Sequence, residues 1–161
     1  MDIFDNWTSK LQSQGFHIVS QDWNRPWGGF FVLDESQAQE FADRYFKGMD
    51  VQPLRIAGKL SPKILVVKPH ARLSWQYHHR RAETWRVIEG PVGIVRSDSD
   101  VEGEPLEHAA GDQVVLAKGE RHRLVGLDTW GVVAEFWQHT DPSFPSDEDD
   151  IVRVQDDYSR V

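Results

Sequence analysis

Cysteine is absent from the 161 residues. Disulfides, a thiolate nucleophile and a thiolate metal site are thereby excluded. The absence is compatible with a reducing cytosol. A basic excess is missing too: 18 Lys and Arg stand against 26 Asp and Glu, a formal net charge of −8. Duplex nucleic acid needs a basic face, so it is not an expected partner. A small local basic pocket for a phosphate stays open. No stretch approaches about 18 consecutive apolar residues, so no membrane-spanning helix is expected. The start, MDIFDNWTSK, has neither the basic segment nor the apolar run of a signal peptide. A cytoplasmic protein is the expectation.

The chain is rich in aromatics, with seven Trp, three Tyr and eight Phe. Disordered chains are poor in such residues, so a packed core is expected. The length suits one domain. Its first third reads as helical. Phe4, Trp7 and Leu11 recur at three- to four-residue spacing, and Gly15 ends the pattern. Ala38, Phe41, Ala42, Tyr45, Phe46 and Met49 mark a second amphipathic helix, with Asp34 and Gln37 resembling a capping box. From Pro62 the period changes to two. Short β-rich runs follow at 63–68, 73–77, 84–88, 92–97, 113–117, 123–127 and 132–137, separated by turn residues. This pattern predicts an antiparallel sandwich or barrel. Residues 1–50 are expected to form a helical and extended cover of the domain, and 51–161 a β-barrel ending in an acidic segment. The run Asp147-Glu148-Asp149-Asp150 reads as a solvated tail, with Ile151 to Val154 apolar enough to dock.

The histidines that carry information are His78, His79 and His122. Gln76 and His78 lie two apart on a predicted strand and so share a face. Glu83 follows a short turn and can return to the same interior. The spacing Gln76-x-His78-x4-Glu83-x6-Gly90 resembles the first cupin motif, with glutamine in place of its first histidine. Gly111-x5-Ala117-x-Gly119-x2-His122 resembles the second. The resemblance implies a mainly β fold, a single cupin jelly-roll β-barrel with the N-terminal helices packed on it. It also implies Gln76, His78, Glu83 and His122 as ligands of one divalent metal ion. Two imidazoles, a carboxylate and an amide oxygen suit Zn²⁺ first, with Mn²⁺, Fe²⁺ or Ni²⁺ as alternatives.

The run Leu73 to Trp85, Arg25-Pro26-Trp27-Gly28 upstream, and Glu148 to Arg153 followed by Asp157-Tyr158-Ser159-Arg160 narrow the match. Together they resemble the cupin domain of type II mannose-6-phosphate isomerases, over about residues 22–160. Departures from that family's pattern are His70 for glycine, Arg80 for histidine, Ala117 for proline, Gly126 for asparagine and Ser159 for glycine. The resemblance implies a metal-dependent aldose–ketose isomerase interconverting mannose 6-phosphate and fructose 6-phosphate, an intramolecular oxidoreductase. A base must then move a proton between C2 and C1. Glu135 is the first candidate for that base, and Lys63 could hold a hydroxyl or shuttle a proton. Arg25, Arg81, Arg123 and Arg153 are the candidates for a phosphate clamp, of which two should face the pocket. The partner implied is a small phosphorylated sugar, and a homodimer is the expected assembly. A metal-dependent cupin oxygenase and a noncatalytic sugar-phosphate-binding cupin are the competing readings. In many family members this domain follows a sugar-nucleotide pyrophosphorylase domain, which is not expected within these 161 residues.

Overall fold

The computed structural model describes residues 2–54 and 59–157. The terminal Tyr158, Ser159 and Arg160 of the family-like motif lie outside the described residues.

Helix α1 (Ile3–Ser13) begins where the Asp2 carboxylate accepts the Asp5 N–H, and it buries Phe4, Trp7 and Leu11 on one stripe. Helix α2 (Ala38–Tyr45) buries Ala38, Phe41, Ala42 and Tyr45. The expected capping box between Asp34 and Gln37 does not form. Asp34 accepts from Ser36, and the Gln37 amide instead bridges the His17 N–H and the Gly15 carbonyl. Between the helices lies a correction to the helical reading of the first third. Residues 18–33 fold as two antiparallel strands, β1 (Ile18–Arg25) and β2 (Gly28–Leu33).

Nine further strands follow: β3 (Lys63–Val67), β4 (Trp75–Tyr77), β5 (Arg81–Glu89), β6 (Val92–Ser97), β7 (Leu106–His108), β8 (Gln113–Leu116), β9 (Arg121–Gly126), β10 (Gly131–His139) and β11 (Val152–Gln155). Together with β1 and β2, these strands of the described residues build two antiparallel sheets in the orders β1-β2-β3-β10-β5-β8 and β11-β4-β9-β6-β7. The fold is thus the mainly β jelly roll that was expected, with two facing sheets rather than a fully closed barrel.

Strand alternation sorts the interior into two layers. On β3, Ile64 and Val66 face the helices, joined by Val132, Ala134 and Phe136 of β10 and by Trp7, Leu11, Phe41 and Phe46. Leu65 and Val67 face the other way and meet Trp85, Val87, Val92, Ile94, Leu124 and Val133 between the sheets. The same inward face carries polar residues at one end. Cross-strand registers pair Glu83 with Trp137, Glu135 with Trp85, and Lys63 with Glu135. The sandwich is therefore dry at one end and charged at the other.

The loop after β3 folds back on β9. The Gly126 N–H donates to the Ala71 carbonyl at 2.7 Å, and a Cβ on Gly126 would stand 1.9 Å from the Lys68 carbonyl oxygen. Only glycine fits that approach. Within the same loop, His70 takes a left-handed conformation with φ 62°.

Candidate metal centre

The charged end is built by three strands and one turn. His78 follows β4, Glu83 lies on β5, and His122 lies on β9, where it pairs in register with Gln76. All three charged or ionisable groups are buried, with 1–2% of each residue exposed. One ligand atom from each lies within 4.8 Å of the others. The His78 Nε2 is 3.2 Å from one Glu83 oxygen, and the His122 Nε2 is 3.6 Å from the other.

The imidazole tautomers are set by their outer nitrogens. His78 Nδ1 contacts the Asp150 carbonyl at 2.6 Å, and His122 Nδ1 contacts the Glu120 carbonyl at 3.1 Å. A carbonyl can only accept, so each Nδ1 is an N–H donor, which leaves Nε2 as the nitrogen that a neutral ring offers to a metal. Both Nε2 atoms are buried, and among the described residues neither has a well-formed hydrogen bond beyond its approach to Glu83. Burial lowers the His122 pKa to about 4, so this ring is neutral at neutral pH. Burial pushes Glu83 upward, but His78 and then the Arg81 guanidinium hold it well below the usual carboxylate range. With neutral rings, two imidazole nitrogens and a carboxylate converge on one small volume, an arrangement that a bound cation relieves. The spacing agrees. Ligand atoms about 2.0–2.1 Å from a tetrahedral Zn²⁺ stand roughly 3.4 Å apart. The residues fit a divalent ion.

Gln76 lines the same cavity, with its amide oxygen accepting from the Ser74 hydroxyl. The cavity is about 150 Å³ and is walled by Trp27, Phe30, Leu65, Leu73, Trp85 and Leu124, with Arg81, Arg123, Glu135 and Lys63 at its polar side. An adjoining groove lined by Ser20, Arg25, Val32 and Arg153 shares Trp27, Phe30, Lys63 and Glu148 with the cavity.

The four arginines expected at a phosphate are placed differently. Arg81 is buried beneath Glu83: its Nε donates to the carboxylate at 2.9 Å, while Nη1 donates to Ser146 Oγ and the Asp147 carbonyl. Its guanidinium stacks 3.9 Å from the Trp137 ring. Arg123 is paired with Glu102 at 2.8 Å and donates to the Gln155 carbonyl. Arg25 pairs with Asp22 at 3.0 Å and lines the groove, not the cavity. Arg153 lines both, and among the described residues no carboxylate lies within 4.0 Å of its guanidinium. Glu135 sits beside Glu83. Burial, and then the Glu83 charge, raise its pKa well above the usual carboxylate range. Lys63 lies over the Trp137 ring and 3.7 Å from Glu148.

The acidic run is a second correction. Asp147 to Asp149 are exposed, but Asp150 is 4% exposed and hydrogen-bonded on both oxygens. It accepts from the His79 and Arg80 N–H groups and from the Ser146 hydroxyl, which lower its pKa against the upward push of burial. Glu148 stands at the cavity mouth between Lys59 and Lys63. Sequence reasoning missed both residues as parts of the site. The signals for them were the apolar alternation just after the acids and the place of Glu148 to Arg153 in the family-like motif.

Comparisons with known proteins bear on family and activity. Xanthan biosynthesis protein XanB of Xanthomonas campestris pv. campestris (strain B100) is 30% identical over 85% of this chain. A mannose-1-phosphate guanylyltransferase of Salmonella montevideo is 28% identical over 94% of it. The chain spans about a quarter of the length of these relatives, 23% and 26%. Among solved structures, the capsular polysaccharide assembling protein CapF from Staphylococcus aureus matches 86% of this chain and 34% of its own, with a TM-score of 0.53 at 16% identity. That likeness shows the fold alone. The relatives' names correct the expected activity. They name guanylyl transfer to mannose 1-phosphate and polysaccharide biosynthesis, not sugar-phosphate isomerisation, and so they overturn the assignment of an isomerase or intramolecular oxidoreductase. They name no oxygenase either. Among the described residues, no helix is long and apolar enough to cross a membrane. The model of the family described as "Mannose-6-phosphate isomerase C-terminal" matches residues 50–156, two thirds of the sequence, and the chain belongs to that family.

Proposed function

We propose that this chain is a metal-centred cupin module that binds a phosphorylated sugar, with mannose 1-phosphate as the first ligand to test. The observation that carries the reading is the pair of buried imidazole Nε2 atoms converging on the Glu83 carboxylate at the end of a cavity. His78, Glu83 and His122 would hold the ion, and Gln76, on the strand paired with His122, would add its amide oxygen as the fourth donor. Zn²⁺ suits this donor set best. A divalent ion bound there supplies a Lewis acid for sugar or phosphate oxygens.

The protein's own groups divide the remaining work. Arg81 fixes Glu83 rather than reaching for a ligand. Glu135 lies against the same carboxylate and helps to orient it. Arg153 and Arg25, with Lys63, present positive charge along the groove that leaves the cavity, which suits a phosphate at the outer end. Trp27 and Phe30 border both compartments and offer faces to a sugar ring. The relatives' names favour phosphorylated mannose as the ligand class.

The test combines metal analysis with calorimetry on the purified protein. One divalent ion per chain is expected, with mannose 1-phosphate bound at least tenfold more tightly than mannose, and only when metal is present. A protein that takes up no divalent metal, or that binds mannose and mannose 1-phosphate equally, overturns the reading.

A further inference from the structure

The ten residues from Asp141 to Asp150 cross the outside of the charged end, and only Ser146 and Asp150 among them are buried. No apolar side chain of this stretch is inserted into a core. Polar contacts from these two residues and their neighbours hold it in place.

Those contacts converge on the metal cluster. The Asp150 carbonyl receives His78 Nδ1–H at 2.6 Å. The Asp150 carboxylate takes the N–H groups of His79 and Arg80 at 2.8 and 2.9 Å, and the Ser146 hydroxyl at 2.7 Å. This clamps the turn that carries His78 from both sides. Arg81 bridges the segment to the second ligand: one guanidinium holds Glu83 at 2.9 Å while Nη1 reaches Ser146 Oγ at 3.0 Å and the Asp147 carbonyl at 2.9 Å. A third anchor runs through His139, whose Nδ1 accepts the Ser146 N–H at 3.0 Å while Nε2 contacts the Lys59 carbonyl. Two of the three clustered ligands are thus aimed by one segment some 65 to 72 positions away in sequence.

We infer that residues 146–150 are a strap of the metal centre, and that Asp150 is a positioning residue whose docking sets metal affinity. This rests on the metal reading above. Outer partners that orient ligand groups typically change metal affinity ten- to a hundredfold when removed. Linkage then works in both directions: metal that needs an aimed His78 must also favour the docked strap. A segment held by polar contacts alone opens locally at low cost, so metal loading should be visible in its amides.

The test uses the full chain and Zn²⁺ with a competing chromophoric chelator. Asp150→Ala is expected to weaken Zn²⁺ binding about ten- to a hundredfold. Asp150→Asn keeps one acceptor oxygen and should recover part of that loss. Ser146→Ala, which keeps Asp150, should weaken binding a few fold. In the wild type, Zn²⁺ should slow hydrogen exchange at the His79 and Arg80 amides and across 146–150. Should Asp150→Ala fail to fold, the Ser146→Ala titration and the wild-type exchange data decide. A Zn²⁺ affinity within twofold of wild type in folded Asp150→Ala, or strap exchange indifferent to metal, overturns the strap. A wild type that takes up no metal overturns the metal centre itself, and the strap with it.

Discussion

The two ends of the same sandwich are made from the same strands and do opposite things. At one end β3, β5 and β10 turn Leu65, Val67, Val87 and Val133 inward against Val92 and Ile94. Stability there comes from apolar area removed from water. A few residues along, the same strands turn Lys63, Glu83, Glu135 and Trp137 inward. Nothing in strand geometry separates the ends. What separates them is that the charged end carries its own counter-structure: Arg81 under Glu83, backbone carbonyls behind both imidazoles, and the strap across the outside. The difference shows how a jelly roll holds a reactive cluster without losing its core.

Glu83→Ala should break the contrast most severely. It removes a ligand and leaves Arg81 buried without its carboxylate, at a cost of about 3–5 kcal/mol. Metal content should fall below a tenth of wild type by elemental analysis, with a matching loss in urea stability. Ile94→Ala attacks the dry end instead. A loss of about 2–5 kcal/mol is expected in urea unfolding, with one metal per chain retained. Loss of metal in that variant would show that the ends are not independent. Stripping the metal with a chelator should come third. A protein saturated at a hundredfold excess over Kd loses about 2.7 kcal/mol, read as a lower Tm that excess Zn²⁺ restores. The smallest structural effect is expected from Arg153→Gln, since this side chain is exposed and unpaired among the described residues. Stability should stay within about 0.5 kcal/mol, while mannose 1-phosphate binding weakens at least fivefold by calorimetry and mannose binding does not.

The core of the fold was legible because alternation is local. Seven of the strands and both helices announce themselves by period, as Ile64 to Val67 and Phe4, Trp7 and Leu11 do. β1 was hidden because five of its eight residues face water and supply no alternating apolar set. β2, Gly-Gly-Phe-Phe-Val-Leu, is a short apolar run whose period is ambiguous. β7 has only three residues. The cluster His78, Glu83 and His122 was legible through spacing matched to a known motif. Asp150 was not, because a buried acid and an exposed one look alike in a charge run. Only the long-range return of the chain to His79 and Arg80 tells them apart. Arg81 was seen as part of the site, but its role depends on which partner it meets first, and that is a tertiary fact.

The loop between β3 and β4 limits how this domain can be recombined with its relatives. Gly126 admits no side chain against the Lys68 carbonyl, and His70 holds a conformation that costs roughly 1–2 kcal/mol for a residue with a Cβ. Relative to the pattern this chain resembles, glycine has moved from one strand connection to the strand facing it. A chimera that swaps β9 without the 68–71 loop would drive an asparagine into that backbone. A graft that moves both segments together keeps the His122 end of β9 in register, and with it the aim of the imidazole.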